Sequence, residues 1–403
     1  MNETTREVRK DFFLGVFAIA ATYGYFLLFA EFAFIELVRA MVPNETAIRV
    51  IMGALGAGGM VGSFAAIWGL RPDNFVNRLS WSFAACAATA GIALTAGSAT
   101  ALTLSAAMIG IAVGWNTVTL ATGLRAILGP SRLGWGAALG TGFAYALCNV
   151  PVIFMASARV QACFSLLLTA VAAAVVRFAH PIFQKAEHPR MKATRVSAWV
   201  VGFFALVFLD CTVFFVIQHT PALRDVTWAG ERRLWANALA HLLAAVSAGW
   251  FLNRGRLSGL AVTAWLCLGL SCLSLGGSAP IPGTNLVYAT GVSLYSAALI
   301  YFAARDGESW IASVVFAVAG WGGSGIGIVI AQDLHHIPWV LVAVTGIILV
   351  MVFGRKSAWC VVAIGIGCVF GNNAVTNALA TPRQLGSGAY FSAGHPVSAQ
   401  KRV

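Results

Sequence analysis

The chain has 403 residues, 59% hydrophobic and only 10% charged, with a mean hydropathy of +0.82, whereas soluble domains are about a quarter charged, so a soluble globular protein is excluded. Its apolar runs are about 20 residues long, enough to cross a hydrocarbon core of ~30 Å as helices, and they lack the alternation of an outer-membrane barrel. The net charge of +12 reflects a scarcity of acids, 14 against 26 Lys and Arg, and no nucleic-acid motif accompanies it, so no nucleic-acid partner is expected.

In chain order the sequence predicts an all-α polytopic membrane protein with spans at 12–34, 48–70, 79–98, 101–122, 133–156, 160–178, 198–217, 234–252, 257–277, 286–304, 310–331, 337–354 and, as a thirteenth, 358–378. Arg6, Arg9 and Lys10 precede a first apolar run too long for a signal-peptide core, which predicts an uncleaved helix with a cytoplasmic N-terminus. That orientation puts 17 of the 26 Lys and Arg on the cytoplasmic side. An integral protein of a bacterial inner membrane is expected, with the tail after the thirteenth span in the periplasm. All eight cysteines fall inside apolar spans, the closest pair being Cys267 and Cys272. They show no zinc spacing and no C-x-x-C-H, so they read as packing residues and no cofactor is assigned.

The longest polar interruption, Arg177 to Arg195, divides the chain. The expected organisation is a first six-helix half at 1–178, a basic linker at 179–197, a second half at 198–354, and an extra helix with a mobile tail at 355–403. Short internal matches support it. Gly15-Val16-Phe17-Ala18 recurs as Gly202-Phe203-Phe204-Ala205 at an offset of 187, and Arg78-Leu79-Ser80 recurs as Arg256-Leu257-Ser258 at 178. Gly129-Pro130-Ser131 recurs as Gly307-Glu308-Ser309, again at 178. Gly134-Trp135-Gly136 and Gly320-Trp321-Gly322 fail the test, because the first opens its helix and the second lies inside its own.

Two loops carry a family likeness. The loop between spans 2 and 3 runs from Gly69 through Asp73 to Arg78, matching the glycine, aspartate and final arginine of G-x-x-x-D-R-x-G-R-R. The loop between spans 8 and 9 runs Gly249, Asn253, Arg254, Gly255, Arg256, with asparagine for aspartate and one residue fewer. With its two six-helix halves and basic central loop, the chain resembles a major facilitator superfamily (MFS) transporter over spans 1–12. The resemblance implies that these loops latch the halves on the cytoplasmic side, with Asp73 and Arg254 making charge-assisted contacts to backbone or helix ends. An ordinary tight turn is the alternative.

An acid at bilayer mid-depth costs about 2.5–3.5 kcal/mol on insertion scales, so it faces protein or water and marks function. Asp210, alone in the apolar run Val207 to Val216, is the strongest candidate, and His241 on span 8 reaches a similar depth. Together they could hold or pass a proton, or form a structural hydrogen-bonded pair. The resemblance implies that spans 1, 4, 7 and 10 line a central cavity. It brings in Tyr23 and Tyr25 from span 1, Trp115, Asn116 and Thr119 from span 4, and Tyr288, Ser293 and Tyr295 from span 10. The offset of 187 makes Tyr23 the counterpart of Asp210. The same aromatics serve equally as packing.

Glu31 is expected at the outer interface, ~29 Å from the start of span 1, where it could gate the mouth. Asp333, His335 and His336 read as a solvated loop. Asn149 with Pro151 and the run Gly320 to Gly327 read as helix-bending or close-packing features. The expected function is secondary transport of a small solute, coupled to protons or cations through Asp210, in a chain that is not an enzyme and has the lipid bilayer, the solute and a coupling ion as partners. No nucleotide-binding loop is present. A transition-metal importer using Asp210, Cys211 and His241, a haem- or quinone-binding redox subunit, and an inactive transporter-like scaffold or sensor are the alternatives.

Overall fold

The computed structural model describes residues 3–183, 192–276, 281–334 and 336–353, with side chains from residue 9 onward. Among them all regular structure is helical. Helix α1 comprises Glu3–Tyr25, a π-helical stretch Phe26–Ala33, and Phe34–Met41. It is followed by α2 (Glu45–Ala65), α3 (Phe75–Thr95), α4 (Ala99–Leu128), α5 (Leu133–Cys148) with a single further turn Pro151–Phe154, and α6 (Ala158–Val175). Then come α7 (Ala193–His219) with a short helix Pro221–Trp228, α8 (Glu231–Asn253), α9 (Leu257–Leu275) and α10 (Thr284–Arg305). Helix α11 comprises Ser309–Val314, a π-helical stretch Val315–Gly322 and Gly323–Ala331, and α12 is Trp339–Phe353.

Each of the first twelve expected spans coincides with one of these helices, and nine are long and apolar enough to cross a membrane. The thirteenth, 358–378, and the tail lie outside the described residues. The six described cysteines are free.

Local chemistry sets the boundaries. Asn44 Oδ1 accepts from the backbone N–H groups of Thr46 at 2.8 Å and Ala47 at 3.3 Å, and Ser98 Oγ accepts from Ala101 N at 3.2 Å, so each caps a helix start. Gly129 follows the end of α4 at φ 76°, where a side chain would be strained. Pro151 and Pro221 open the two short helices, where a missing N–H costs nothing.

The tightest helix pair is α2 with α4. Gly58 and Gly62 face Gly110 and Gly114, and a Cβ at Gly110 would lie 2.1 Å from the Leu55 carbonyl oxygen. Without a hydrophobic force between helices in lipid, such small-residue contacts let backbones meet. Around this pair a core forms from Phe29 and Phe34 of α1, Ile51 of α2, Ala90 of α3 and Ile109 of α4. The outward faces carry Trp81, Leu167, Leu243, Val329 and Met351, each more than half exposed, as suits a lipid-covered exterior.

The α2–α3 loop differs in detail from its expectation. Arg78 donates to the Trp68 carbonyl at 2.5 Å and so binds the end of α2. Asn74 accepts from Arg71 N at 2.9 Å and donates to Gly69 O at 2.8 Å. Asp73 is exposed and makes no hydrogen bond or ion pair among the described residues, because Asn74 fills that place in the turn. In the α8–α9 loop Arg254 lies 4.1 Å above the Trp250 ring and Arg256 lies 5.6 Å from it, so arginine-on-indole contacts replace the expected contacts to helix ends. Asn253 is the last residue of α8, and Gly249 lies one turn before it.

Candidate functional site

A cavity of ≈ 1280 Å³, counting its mouth, lies between helices of the first six and the last six, with walls from α1, α4, α5, α7, α8, α10 and α11. Its floor is polar. Tyr288 Oη donates to Asp210 Oδ1 and Tyr295 Oη donates to Asp210 Oδ2, both at 2.6 Å. The two tyrosines are seven residues apart on α10, two helical turns, so both phenols reach α7 from one face. Both oxygens of a buried acid are thereby satisfied by neutral donors.

His241 of α8 lines the same cavity but takes other partners. Its Nδ1 lies 2.7 Å from Ser293 Oγ, and its ring stacks on Tyr145 at 4.9 Å. Tyr145 Oη in turn meets Ser296 Oγ at 2.9 Å. The expected direct approach of His241 to Asp210 is therefore replaced by a network in which α10 serves both. Asn285 donates to Asn237 Oδ1 at 2.7 Å, and Asn237 donates to the Thr227 carbonyl at 3.1 Å, tying the short helix after α7 into the wall.

Glu31 is the main positional correction. Helix α1 does not stop near residue 34 but continues through its π-helical stretch to Met41, about ten residues beyond Glu31, or ~15 Å. Glu31 consequently lines the cavity, with no hydrogen-bond partner among the described residues. In the same cavity four rings meet: Phe32 lies 5.6 Å from Phe154, 5.5 Å from Phe214 and 6.3 Å from Trp228. These rings come from α1, the turn after α5, α7 and the short helix after α7, and all of them line the cavity. At the same end Arg39 of α1 donates to His219 Nε2 of α7, while His219 Nδ1 lies 2.8 Å from the Phe215 carbonyl.

At the opposite end helices of the first six and the last six meet through side chains. Arg125 of α4 donates to the Arg305 carbonyl of α10 at 2.7 Å. A Cβ at Gly134 of α5 would lie 2.8 Å from Leu252 Cβ of α8, and one at Gly249 would lie 2.3 Å from the Trp135 ring.

Of the residues singled out in the sequence, Tyr23, Glu31, Asp210, His241, Tyr288 and Tyr295 line this cavity. Four do not. Tyr25 bonds Thr89 at 2.9 Å inside the α1–α3 core. Asn116 accepts from Ser82 at 2.7 Å and donates to Thr22 at 2.8 Å, bracing α4 against α3 and α1. Trp115 and Thr119 also face away, because α4 presents only Val113 and Thr117 to the cavity. Tyr145, Asn237 and Trp228 were not anticipated, since they lie on helices and a connection outside the expected four spans, and Asn285 was not because α10 begins just before its expected span. Among the described residues no three His, Cys, Asp or Glu side chains gather as a metal-ion site, so Asp210, Cys211 and His241 do not converge on one ion.

No family model and no curated protein matches the chain. Solved structures do. The human organic anion transporter MFSD10 (TETRAN) aligns at TM-score 0.61 and 13% identity over 87% of this chain and 100% of its own. A bacterial homologue of the iron transporter ferroportin, in an outward-facing state, aligns at 0.59 and 12% over 86% and 99%. The MFS transporter FucP, in the outward conformation, aligns at 0.56 and 14% over 83% and 98%. At such identities the likeness is one of fold. The chain is an all-helical integral membrane protein with the fold of the major facilitator superfamily.

Proposed function

We propose that the chain is a secondary active transporter that exposes this cavity alternately to the two sides of the membrane. In this reading 1–178 and 198–354 are the two rocking halves and 179–197 joins them, with the N-terminus in the cytoplasm and Asp210 as the proton- or cation-coupling group. The observation that carries it is Asp210, whose two oxygens are each held by a tyrosine of α10 inside a cavity between the halves. An ionised carboxylate only accepts, whereas a protonated one carries an O–H donor on one oxygen and accepts there more weakly. Protonation therefore weakens one of the two phenol contacts and adds a donor that needs a partner, which converts a proton into a change at the α7–α10 contact.

The test is solid-supported-membrane electrophysiology on reconstituted protein, with amino acids, sugars, organic cations and divalent metals, with and without a pH gradient. A solute-evoked, pH-dependent current that disappears in Asp210→Asn is expected. Coupled current that survives Asp210→Asn in a folded protein would refute the coupling role.

A further inference from the structure

The two cavity acids are not equivalent. Asp210 has both oxygens occupied by phenols. Glu31 has no hydrogen-bond partner among the described residues, and no Lys or Arg lines the cavity. Glu31 is half-buried in the cavity wall with no counter-charge beside it, and a positive ligand entering the cavity would supply one.

The surroundings of Glu31 favour the ligand. Phe32, Phe154, Phe214 and Trp228 gather at this end of the cavity, with ring centroids 5.5–6.4 Å apart. Aromatic faces carry negative potential and attract cations, most strongly when desolvated, and organic ammonium groups are held by such cages.

We infer that Glu31 anchors the charged group of a hydrophobic organic cation, with the four-ring cluster packing around it. Asp210 is left to the coupling role, on which this assignment rests only in taking the cavity as a binding site. The inference gives the site a ligand class and moves the anchoring charge from α7 to α1.

The experiment uses the full chain in lipid nanodiscs and two probes of the same shape and opposite charge, tetraphenylphosphonium and tetraphenylborate. Binding is read from the tryptophan fluorescence, since Trp228 and Trp321 line the cavity, and empty nanodiscs correct for partition into lipid. Saturable binding of tetraphenylphosphonium is expected, weakened roughly 30-fold or more in Glu31→Gln, partly retained in Glu31→Asp, and weakened less in Trp228→Ala. Tetraphenylborate is expected to show no saturable component.

Equal affinity for the two probes, unchanged affinity in a folded Glu31→Gln protein, or no saturable tetraphenylphosphonium binding at all would overturn the inference. Should Glu31→Gln not fold, the ranking of Glu31→Asp and Trp228→Ala decides. Binding needs no flux, so a protein that binds the phosphonium and carries no current would sink the transporter reading alone. One that carries a neutral solute or an anion independently of Glu31 would sink the inference alone.

Discussion

Two tryptophans from Gly-Trp-Gly triplets make the same kind of contact at different depths. Trp135 of α5 lies against Gly249 of α8, and Trp321 of α11 lies against Gly59 of α2, where added Cβ atoms would fall 2.3 Å and 2.1 Å from the rings. Both contacts join a helix of the first six to one of the last six. Trp135 is two residues into its helix and Trp321 twelve into its own, a difference of about ten residues or ~15 Å. The shallow pair helps to shut one end of the molecule, whereas the deep pair forms cavity wall, and Trp321 reaches Phe26 of α1 at 5.8 Å. One packing device thus serves as a seal or as a wall according to its depth alone.

The largest effect is expected from the control for this comparison, a glycine contact that involves no ring and stays within the first six helices. Gly110→Ala drives a methyl into the Leu55 carbonyl, and backbone cannot yield as a side chain can. Destabilisation of about 3 kcal/mol or more is expected, read as a large drop in melting temperature or loss of folded protein. A wild-type melting curve would show that α2 and α4 can separate freely.

Next come the two phenols. Tyr288→Phe and Tyr295→Phe each remove a hydrogen bond to Asp210, a change of about 1.5–3 kcal/mol for a charged acceptor. A double-mutant cycle on the pH dependence of transport is expected to show strong coupling between them, because both act on one carboxylate. Strict additivity would mean that the two contacts are independent.

The smallest and most discriminating effects belong to the tryptophan seats. Gly249→Ala and Gly59→Ala each displace one ring at about 1–2 kcal/mol. The first is expected to let a membrane-impermeant maleimide reach the cavity thiols of Cys148 and Cys211 from the Trp135 end. The second is expected to leave that end shut while weakening solute binding several-fold. The same outcome for both variants would erase the distinction between seal and wall.

How much of this was legible in the sequence depended on the physical signal involved. Helix positions follow from apolar length, which the bilayer imposes strictly, so the first twelve expected spans find their helices. Helix rotation is not imposed in this way. Asn116 and Thr119 are polar and on an expected lining helix, yet α4 turns them toward its neighbours, where Ser82 and Thr22 satisfy Asn116. Asp210 was legible because a lone acid in an apolar run has few alternatives.

Glu31 was expected at the outer interface because span 1 was drawn to end at residue 34, although Glu36 and Arg39 lie on the same helix. In the fold these two pair at 2.8 Å on a further helical stretch that carries the chain past the cavity. Trp228 and Thr227 belong to a connection, and nothing in the run Asp225 to Gly230 announces that it folds back to complete the wall.

The π-helical stretch Phe26–Ala33 constrains length more than identity. It carries Phe26, Leu27, Glu31 and Phe32 to the cavity, and a π-helix holds more residues per turn than an α-helix. Removing one residue there would restore α-helical winding and leave the helix beyond it, with Glu36 and Arg39, near its present orientation. The residues inside the stretch would instead be redistributed around the axis, so Phe26, Leu27, Glu31 and Phe32 would no longer share the cavity face. Single substitutions in this stretch are thus local edits, whereas a deletion of one codon rearranges the whole cavity-lining part of α1.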